Sequence, residues 1–167
     1  MWVELRVPRR DAAAFRTALL GFARLGYRTK LSSTAVAHWI EAWVPDNRGA
    51  LDRALVVLQG ISELQLRRAA NAGYFPTLYN AGVEYEREPP RREWWQTALD
   101  NFTVRVGDCE DLANHRAAEL VVYTGEPARA VTVRTGPRAF HAVVRRADGT
   151  IEDPSAALGM LRGRRSA

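Results

Sequence analysis

A loop that turns into a helix at the single cysteine of this chain is the feature that most constrains the fold. This stretch covers residues 106–113, Val-Gly-Asp-Cys-Glu-Asp-Leu-Ala. The apolar residues that recur at helical spacing behind the cysteine are Leu112, Ala113, Ala117, Leu120 and Val121. Their recurrence predicts a helix that starts at Cys109 and buries one face, which the cysteine begins. We expect Gly107 to supply an unusual backbone angle before the helix, and Gly125 to cap its C-terminus.

The cysteine at this helix start has two interpretations. A helix N-terminus carries unpaired N–H groups and the positive end of the helix dipole, and both favour the thiolate, which is the nucleophilic form of cysteine. Cys109 would then be a reactive nucleophile. The alternative is that Cys109 is a small buried apolar residue, which is the common role of a lone intracellular cysteine.

Two downstream residues favour the nucleophile. His141 lies in residues 138–144, which alternate as a strand does, and Asp153 lies in residues 150–154, after an Asp-Gly turn signal at 148–149. A cysteine at a helix start, a histidine on one strand and an acid on the next are the components of a thiol nucleophile, its base and the group that orients the base.

Strand alternation sets a condition on this trio. His141 and Asp153 can meet only if the register of their strands places both on one face of the sheet. A two-residue turn would leave Asp153 on the wrong face, and Glu152 would then be the acid beside the histidine. A three-residue loop at 147–149 brings Asp153 to the correct face. We therefore predict that loop, with Gly149 at a positive φ in a G1 bulge, or another bulge that corrects the register.

Four motifs in this order resemble the transglutaminase-like cysteine protease superfamily. They are Gly-Asp-Cys-Glu-Asp-Leu-Ala at 107–113, Gly-Glu-Pro-Ala-Arg-Ala-Val at 125–131, Phe-His-Ala-Val-Val at 140–144 and Asp-Gly-Thr-Ile-Glu-Asp-Pro at 148–154. The resemblance spans residues 74–161, and four motifs in register are more specific than one. It implies a papain-like core, in which the helix that starts at the cysteine packs on an antiparallel sheet.

The resemblance also implies roles for the three residues. In that superfamily the cysteine is the nucleophile, the histidine is its base and the aspartate orients the base, and these roles map onto Cys109, His141 and Asp153. The implied activity is that of a cysteine protease, an amidase or a transglutaminase-like acyltransferase, which acts on a peptide-like amide through an acyl-enzyme. The alternative is a non-catalytic binding or assembly module. The chain resembles short, arginine-rich members carried by phages and prophages, so its partner is expected to be a peptide or protein substrate or, alternatively, a phage assembly protein.

A cysteine enzyme also needs donors for the oxyanion that develops during acyl transfer. The backbone N–H of Cys109 is one candidate. The resemblance implies a second donor upstream, and the candidates are the indole N–H of Trp94 or Trp95 and the side-chain amide of Gln96. For the two tryptophans, the alternative is a place in the core.

Three acids, Asp108, Glu110 and Asp111, surround the nucleophile. Their charge opposes thiolate formation, and we predict a structural role for them in capping and complementing the first helical turn. His115 is predicted to point away from the thiol as a surface or interface residue. We expect no metal site, because the spacing of the cysteine, histidines and acids fits no standard one, and no cofactor.

The first part of the chain has its own pattern of strands and helices. Residues 1–70 predict a strand, a helix, two strands, a second helix that ends at Gly60, and a short strand with Leu64 and Leu66. This βαββαβ order predicts a ferredoxin-like unit, with a helix over 62–70 as the alternative ending.

An irregular joint rich in glycine, proline and aromatic residues follows at 71–92, and the transglutaminase-like core is predicted at 93–167. The sequence therefore predicts an α+β protein with two units joined by this segment.

Composition narrows the function classes. The net charge of +5 does not indicate nucleic-acid binding, because the arginines are scattered among acids without a dense basic block. No apolar run is long enough to span a membrane, and the N-terminus lacks the apolar core of a signal peptide. A single cysteine allows no intramolecular disulfide, which favours a reducing compartment. We expect a cytoplasmic protein, with association with a virion as the alternative.

Overall fold

The computed structural model describes residues 1–89, 93–137 and 139–160. Helices and strands are interleaved, so the chain is a mixed α+β protein. The strands are β1 (Trp2–Pro8), β2 (Thr29–Ser33), β3 (Ala37–Trp43), β4 (Glu84–Tyr85), β5 (Trp94–Trp95), β6 (Val106–Gly107), β7 (Arg129–Gly136), β8 (Ala139–Arg145) and β9 (Ile151–Glu152). The helices are α1 (Ala12–Arg24), α2 (Arg48–Asn71), α3 (Ala98–Val104), α4 (Cys109–Glu119) and α5 (Pro154–Ala157). A 3-10 turn at Leu78–Asn80 precedes β4, and a π-helical turn at Leu120–Thr124 follows α4.

The first sheet has the strand order β2-β3-β1-β5. Strand β3 runs antiparallel to β1 and β2, whereas the short β5 runs parallel to β1. Alternate residues of β1 point inward, and Val3, Leu5 and Val7 are at most 1% exposed. They belong to the main core cluster together with Phe22 of α1 and Leu55 of α2. Both helices therefore cover the same apolar face of this sheet.

The short strand that ends the ferredoxin-like order predicted for residues 1–70 is wrong, and the alternative ending, a helix over 62–70, is confirmed. Residues 62–70 belong to α2, which continues without stopping at Gly60. The helix continues because Ser62 and Gln65 point inward and accept hydrogen bonds from backbone N–H groups at the start of α3. In a ferredoxin-like unit, the strand after α2 would run antiparallel to β1. The fourth strand of the observed sheet, β5, runs parallel to β1, so the sheet is not the ferredoxin-like one.

A second, antiparallel sheet has the order β7-β8-β9, and β4 pairs with β6 in a separate parallel ribbon. Helix α4 packs against β7 and β8 on one side and against α2 on another. Ala113 and Ala117 of α4 join Ala142 and Val144 of β8 in the main core cluster. Small side chains at this contact let the backbone of α4 approach the sheet closely.

The predicted division into residues 1–70, 71–92 and 93–167 stays a prediction. Described residues on both sides of the joint contribute to one core cluster. Parts of the predicted joint, strand and core lie outside the described residues, at positions 90–92, 138 and 161–167. Among the helices that the structure describes, none combines the length and the apolar composition needed to cross a bilayer.

Candidate active site

Cys109 is the first residue of α4, as the sequence predicted. Asp108 is the N-cap, and its side chain accepts a hydrogen bond from the Glu110 N–H at 3.2 Å. Asp111 accepts one from the Asp108 N–H in return, also at 3.2 Å. This reciprocal capping box fixes the first turn of the helix and confirms the structural role predicted for Asp108 and Asp111.

Two glycines bracket the helix for different reasons. Gly125 follows the π-helical turn with a φ of 73°, which confirms the predicted glycine cap. Gly107 does not have a positive φ, so the unusual backbone angle predicted for it is wrong. Close packing explains this glycine instead, because a Cβ atom there would lie 3.0 Å from Asn101 Oδ1 and 3.1 Å from Asp111 Cβ. A larger residue would separate α3 from the start of α4.

Acids dominate the surroundings of the thiol. The Cys109 Sγ donates a hydrogen bond to Glu110 Oε2 at 2.9 Å. Burial raises the pKa of the Cys109 thiol well above its usual range, and the charges of Glu110 and Asp108 raise it further, while the Ala142 N–H lowers it. The acids and the burial therefore outweigh the helix dipole, and the resting form is the thiol rather than the thiolate that the helix position favours.

His141 and Asp153 meet as the sequence predicted. The His141 Nε2 lies 2.9 Å from Asp153 Oδ2, and the histidine side chain, on β8, is 14% exposed. Asp153 directly follows β9 and is also the N-cap of α5, because its Oδ1 accepts a hydrogen bond from the Ala156 N–H at 3.1 Å. One carboxylate oxygen is held by α5 and the other by the imidazole, which fixes the orientation of the ring.

The register of the β8–β9 hairpin explains how the imidazole and the carboxylate meet. The Arg146 N–H donates to the Thr150 carbonyl at 2.9 Å, as a three-residue loop requires. Gly149 has a φ of 84°, which confirms the positive φ predicted for it. Glu152 instead binds Arg116 of α4, with Nε and Oε1 2.6 Å apart. The acid that faces the imidazole is therefore Asp153.

The start of α4 lies close to the backbone of β8 at Ala142, the residue after His141. Helix α4 packs against β8, and the backbone N–H of Ala142, the residue after His141, is near enough to the Cys109 Sγ to lower the pKa of the thiol. The hydrogen bond of the thiol nevertheless goes to Glu110. A direct hydrogen bond between Cys109 and His141 stays a prediction.

The upstream oxyanion candidates differ in their surroundings. Trp95 is 1% exposed and belongs to the main core cluster, which agrees with the alternative of a core residue. Trp94 and Gln96 line a pocket of about 240 Å³ that reaches Asp108. The other residues that line it are Glu86, Arg87, Glu88, Pro89, Val106 and Gly107. Within the described part of the chain, both indole N–H groups and the Gln96 Oε1 have no hydrogen-bond partner.

Helix α4 also buries a polar face that the sequence analysis missed. Asp111, Asn114 and His115 are 0% exposed. The Asp111 Oδ1 accepts a hydrogen bond from the Gln96 N–H at 2.7 Å, and the Asn114 Nδ2 donates to the Gln96 carbonyl at 3.4 Å. The available signal was three polar residues at i, i+3 and i+4 on a short helix, which marks one face of that helix.

The predicted surface position of His115 is wrong, because its side chain is fully buried. Helix α3 rather than solvent covers that side of α4. The His115 Nδ1 lies 3.4 Å from Asn101 Nδ2, and the ring stands edge-on to Phe102 with the centroids 4.4 Å apart. Its Nε2 is 3.3 Å from Glu119 Oε1, but the two atoms do not have the geometry of a hydrogen bond.

A group of acids extends from the nucleophile towards the predicted joint. Carboxylate oxygens of Glu88, Glu93 and Asp108 all lie within 4.8 Å of one another. Burial, and then the charges of Asp108 and Glu88, raise the pKa of Glu93 to about 7. Burial, and then the charge of Glu110, raise the pKa of Asp108 to about 8. Oxygen donors suit hard cations, so among the described residues this group could hold a metal ion.

No protein-family model, curated protein or solved structure matches this chain. The resemblance to the transglutaminase-like superfamily therefore depends on the four sequence motifs alone.

Proposed function

We propose that this chain is a thiol-dependent hydrolase or acyltransferase that acts on a peptide-like amide and is built on a papain-like, transglutaminase-like core. The observation that carries the proposal is the 2.9 Å hydrogen bond between His141 Nε2 and Asp153 Oδ2, on the strand packed against the helix that starts at Cys109. An imidazole oriented by a carboxylate, on the strand whose Ala142 N–H acts on a cysteine at a helix N-terminus, supplies the parts that an activated thiol needs.

The reaction begins when the thiol proton moves to His141. The Cys109 thiolate attacks the amide carbonyl, a C–S bond forms, and the backbone N–H of Cys109 and the amide of Gln96 donate to the oxyanion. The C–N bond then breaks, His141 gives its proton to the leaving amine, and a thioester remains. Water, or an amine in the case of acyl transfer, attacks the thioester and passes a proton to His141, which returns it to the sulfur as the acyl product leaves.

The resting hydrogen bond from Cys109 to Glu110 must be exchanged before this reaction starts. Because the Glu110 charge raises the pKa of the thiol, a substrate that displaces or neutralises this carboxylate lowers that pKa and favours proton transfer to His141. The proposed enzyme is therefore activated by its substrate.

The same contact favours a second candidate function. A protonated thiol bound to an acid is the state expected of a non-catalytic binding or assembly module that keeps the fold without turnover. In that case, the His141–Asp153 pair would only join β8 to α5.

Thiol alkylation separates the two functions. The proposed enzyme should be alkylated at about pH 6 more than tenfold faster by an iodoacetyl group carried on a peptide amide than by free iodoacetamide, because the peptide displaces Glu110 while it delivers the electrophile to Cys109. His141→Ala should remove that acceleration, and the matched His38→Ala, whose ring binds Ser33 on the first sheet, should keep it. A thioester adduct on Cys109, detected by mass spectrometry after exposure to host-cell and phage extracts, would identify the acyl donor. Alkylation that is slow with every peptide and unchanged in His141→Ala would favour the assembly module.

A further inference from the structure

The polar face of α4 contains a carboxylate that joins two segments. The Asp111 Oδ1 accepts a hydrogen bond from the Gln96 N–H at 2.7 Å, and its Oδ2 accepts one from the Asp108 N–H at 3.2 Å. Asp108 is the residue before Cys109, and Gln96 follows β5. A single side chain, 0% exposed, thus connects the backbone at the nucleophile with the backbone of the upstream oxyanion candidate.

The carbonyl side of the same segment is held from the next turn of the helix. The Asn114 Nδ2 donates to the Gln96 carbonyl at 3.4 Å and to Ser62 Oγ at 3.0 Å. Ser62, on α2, in turn accepts from the Ala98 N–H at 2.9 Å. Both backbone groups of Gln96 are therefore bound by α4, and the chain immediately after Gln96 is bound by α2.

The side chain of Gln96 is held less firmly than its backbone, because no described residue donates a hydrogen bond to its Oε1. Gln96 is 5% exposed and lines the pocket beside Asp108, and among the described residues its Oε1 has no hydrogen-bond partner. The backbone clamp therefore determines where this amide lies. Burying a carboxylate on a helix face is costly unless its hydrogen bonds are well made, and an apolar residue would pack here at lower cost.

We propose that Asp111 is a positioning residue, which holds the oxyanion donor Gln96 at the distance from Cys109 that acyl transfer requires. This inference rests on the proposed function. Asp111 is fully buried and the thiol bonds Glu110 instead, so Asp111 should affect the reaction through the placement of Gln96 relative to the start of α4. Displacements of about 1 Å at an oxyanion donor are enough to cost on the order of a hundredfold in rate.

Two electrophiles separate this role from a general structural one. Acylation of Cys109 by p-nitrophenyl acetate passes through an oxyanion, whereas alkylation by iodoacetamide does not. Asp111→Asn should slow acylation by about ten- to a hundredfold and change alkylation by less than about threefold. Gln96→Ala should show the same selective loss, and the double variant should lose no more than the single variants, because both act through one donor.

The matched control is Glu119→Gln, which changes another buried acid of α4, at the opposite end from Cys109. It should leave the ratio of the two rates unchanged. If Asp111→Asn does not fold, Asn114→Ala releases the Gln96 carbonyl and Ser62 Oγ but keeps both hydrogen bonds of Asp111, and it should show a smaller loss of the same selectivity. Equal losses of both rates, no loss of either, or additive losses in the double variant would overturn the positioning role. A wild-type protein that is not acylated would instead overturn the proposed function.

Discussion

Helices α2 and α4 pack against each other but differ in the polarity of the side chains that they bury. Residues 48–58 of α2 bury only apolar side chains, namely Ala50, Leu51, Ala54, Leu55 and Leu58. The inner faces of α4 also carry Asp111, Asn114, His115 and Glu119, none more than 2% exposed. Apolar contact is non-directional and contributes stability in proportion to buried area. Buried polar groups must each find a partner, so they specify geometry more than they add stability.

This comparison predicts that function and stability are separable. Changes at the start of α4 and on β8 should remove chemistry while the fold survives, and changes on the apolar face of α2 should do the opposite. Four experiments test the separation, and they follow in order of decreasing effect.

Loss of the nucleophile or its base should give the largest effect. Cys109→Ser and His141→Ala should each reduce turnover of the amide substrate by about 10⁴-fold or more, because the pair acts as a unit. Asp153→Asn should retain some activity, since Asp153 orients the imidazole without making bonds. Steady-state kinetics gives the activity loss, and thermal unfolding should show little change for Cys109→Ser. Wild-type activity of Cys109→Ala in the biological role would favour the assembly module.

The apolar half of the comparison is tested on α2. Leu55 is 0% exposed, so Leu55→Ala should lower the free energy of unfolding by about 2–5 kcal/mol through lost burial and the cavity left behind. The adjacent Val56 is 54% exposed, and Val56→Ala should change the free energy of unfolding by less than about 0.5 kcal/mol. Denaturant titration measures both. The rate at which the folded Leu55→Ala protein is alkylated should match that of the wild type. A clear change in that rate would show that the apolar face of α2 affects the site as well as stability.

The same contrast explains which features could be predicted from sequence. The register of the β8–β9 hairpin was predictable, because strand parity and one glycine at a turn leave few arrangements, and Gly149 and the His141–Asp153 contact agree with it. The choice between a strand and a helix over 62–70 stayed open and the position of His115 was missed, because both depend on inward-facing polar residues. A polar residue that binds a distant backbone group looks, in sequence, like a residue exposed to solvent.

The contact between Cys109 and Glu110 was also beyond sequence reasoning, although the opposing charge was foreseen. Helix position and acid neighbours act on the thiol in opposite directions, and their balance depends on burial, which sequence does not show. In the structure the balance favours the protonated thiol, because burial is the largest cause of its raised pKa and Glu110 is the next.

Removal of the Glu110 charge should produce a smaller but measurable effect. Glu110→Gln should lower the pKa of the Cys109 thiol, because the carboxylate raises it, and a lower pKa gives more thiolate at any fixed pH below that pKa. Alkylation by iodoacetamide near neutral pH should rise by about three- to tenfold, since the gain in thiolate is offset in part by its lower nucleophilicity. Glu41→Gln, on the first sheet, is the control and should leave the rate unchanged. An unchanged rate in Glu110→Gln would mean that the resting hydrogen bond does not limit the thiol.

The smallest effect concerns the acids beside the nucleophile. Burial raises the pKa of Glu93 from 4.5 to about 7 in the folded protein, so folding favours the protonated carboxyl. The stabilisation is complete below the unfolded pKa and is lost as pH rises through the folded one. The melting temperature should therefore fall by a few degrees between about pH 4.5 and about pH 8.

Glu93→Gln should flatten that fall, because the amide resembles the protonated acid at every pH. Some pH dependence should remain, since the pKa of Asp108 is also raised, to about 8. The exposed Glu84 is the matched control, and Glu84→Gln should keep the full wild-type slope. Melting temperatures that rise across the same window in the wild type would show that the cluster is ionised and stabilised by a neighbouring positive charge. The acids at the start of α4 would then stabilise the fold, as the apolar face of α2 does. The two helices would therefore not differ in their contribution to stability at this site.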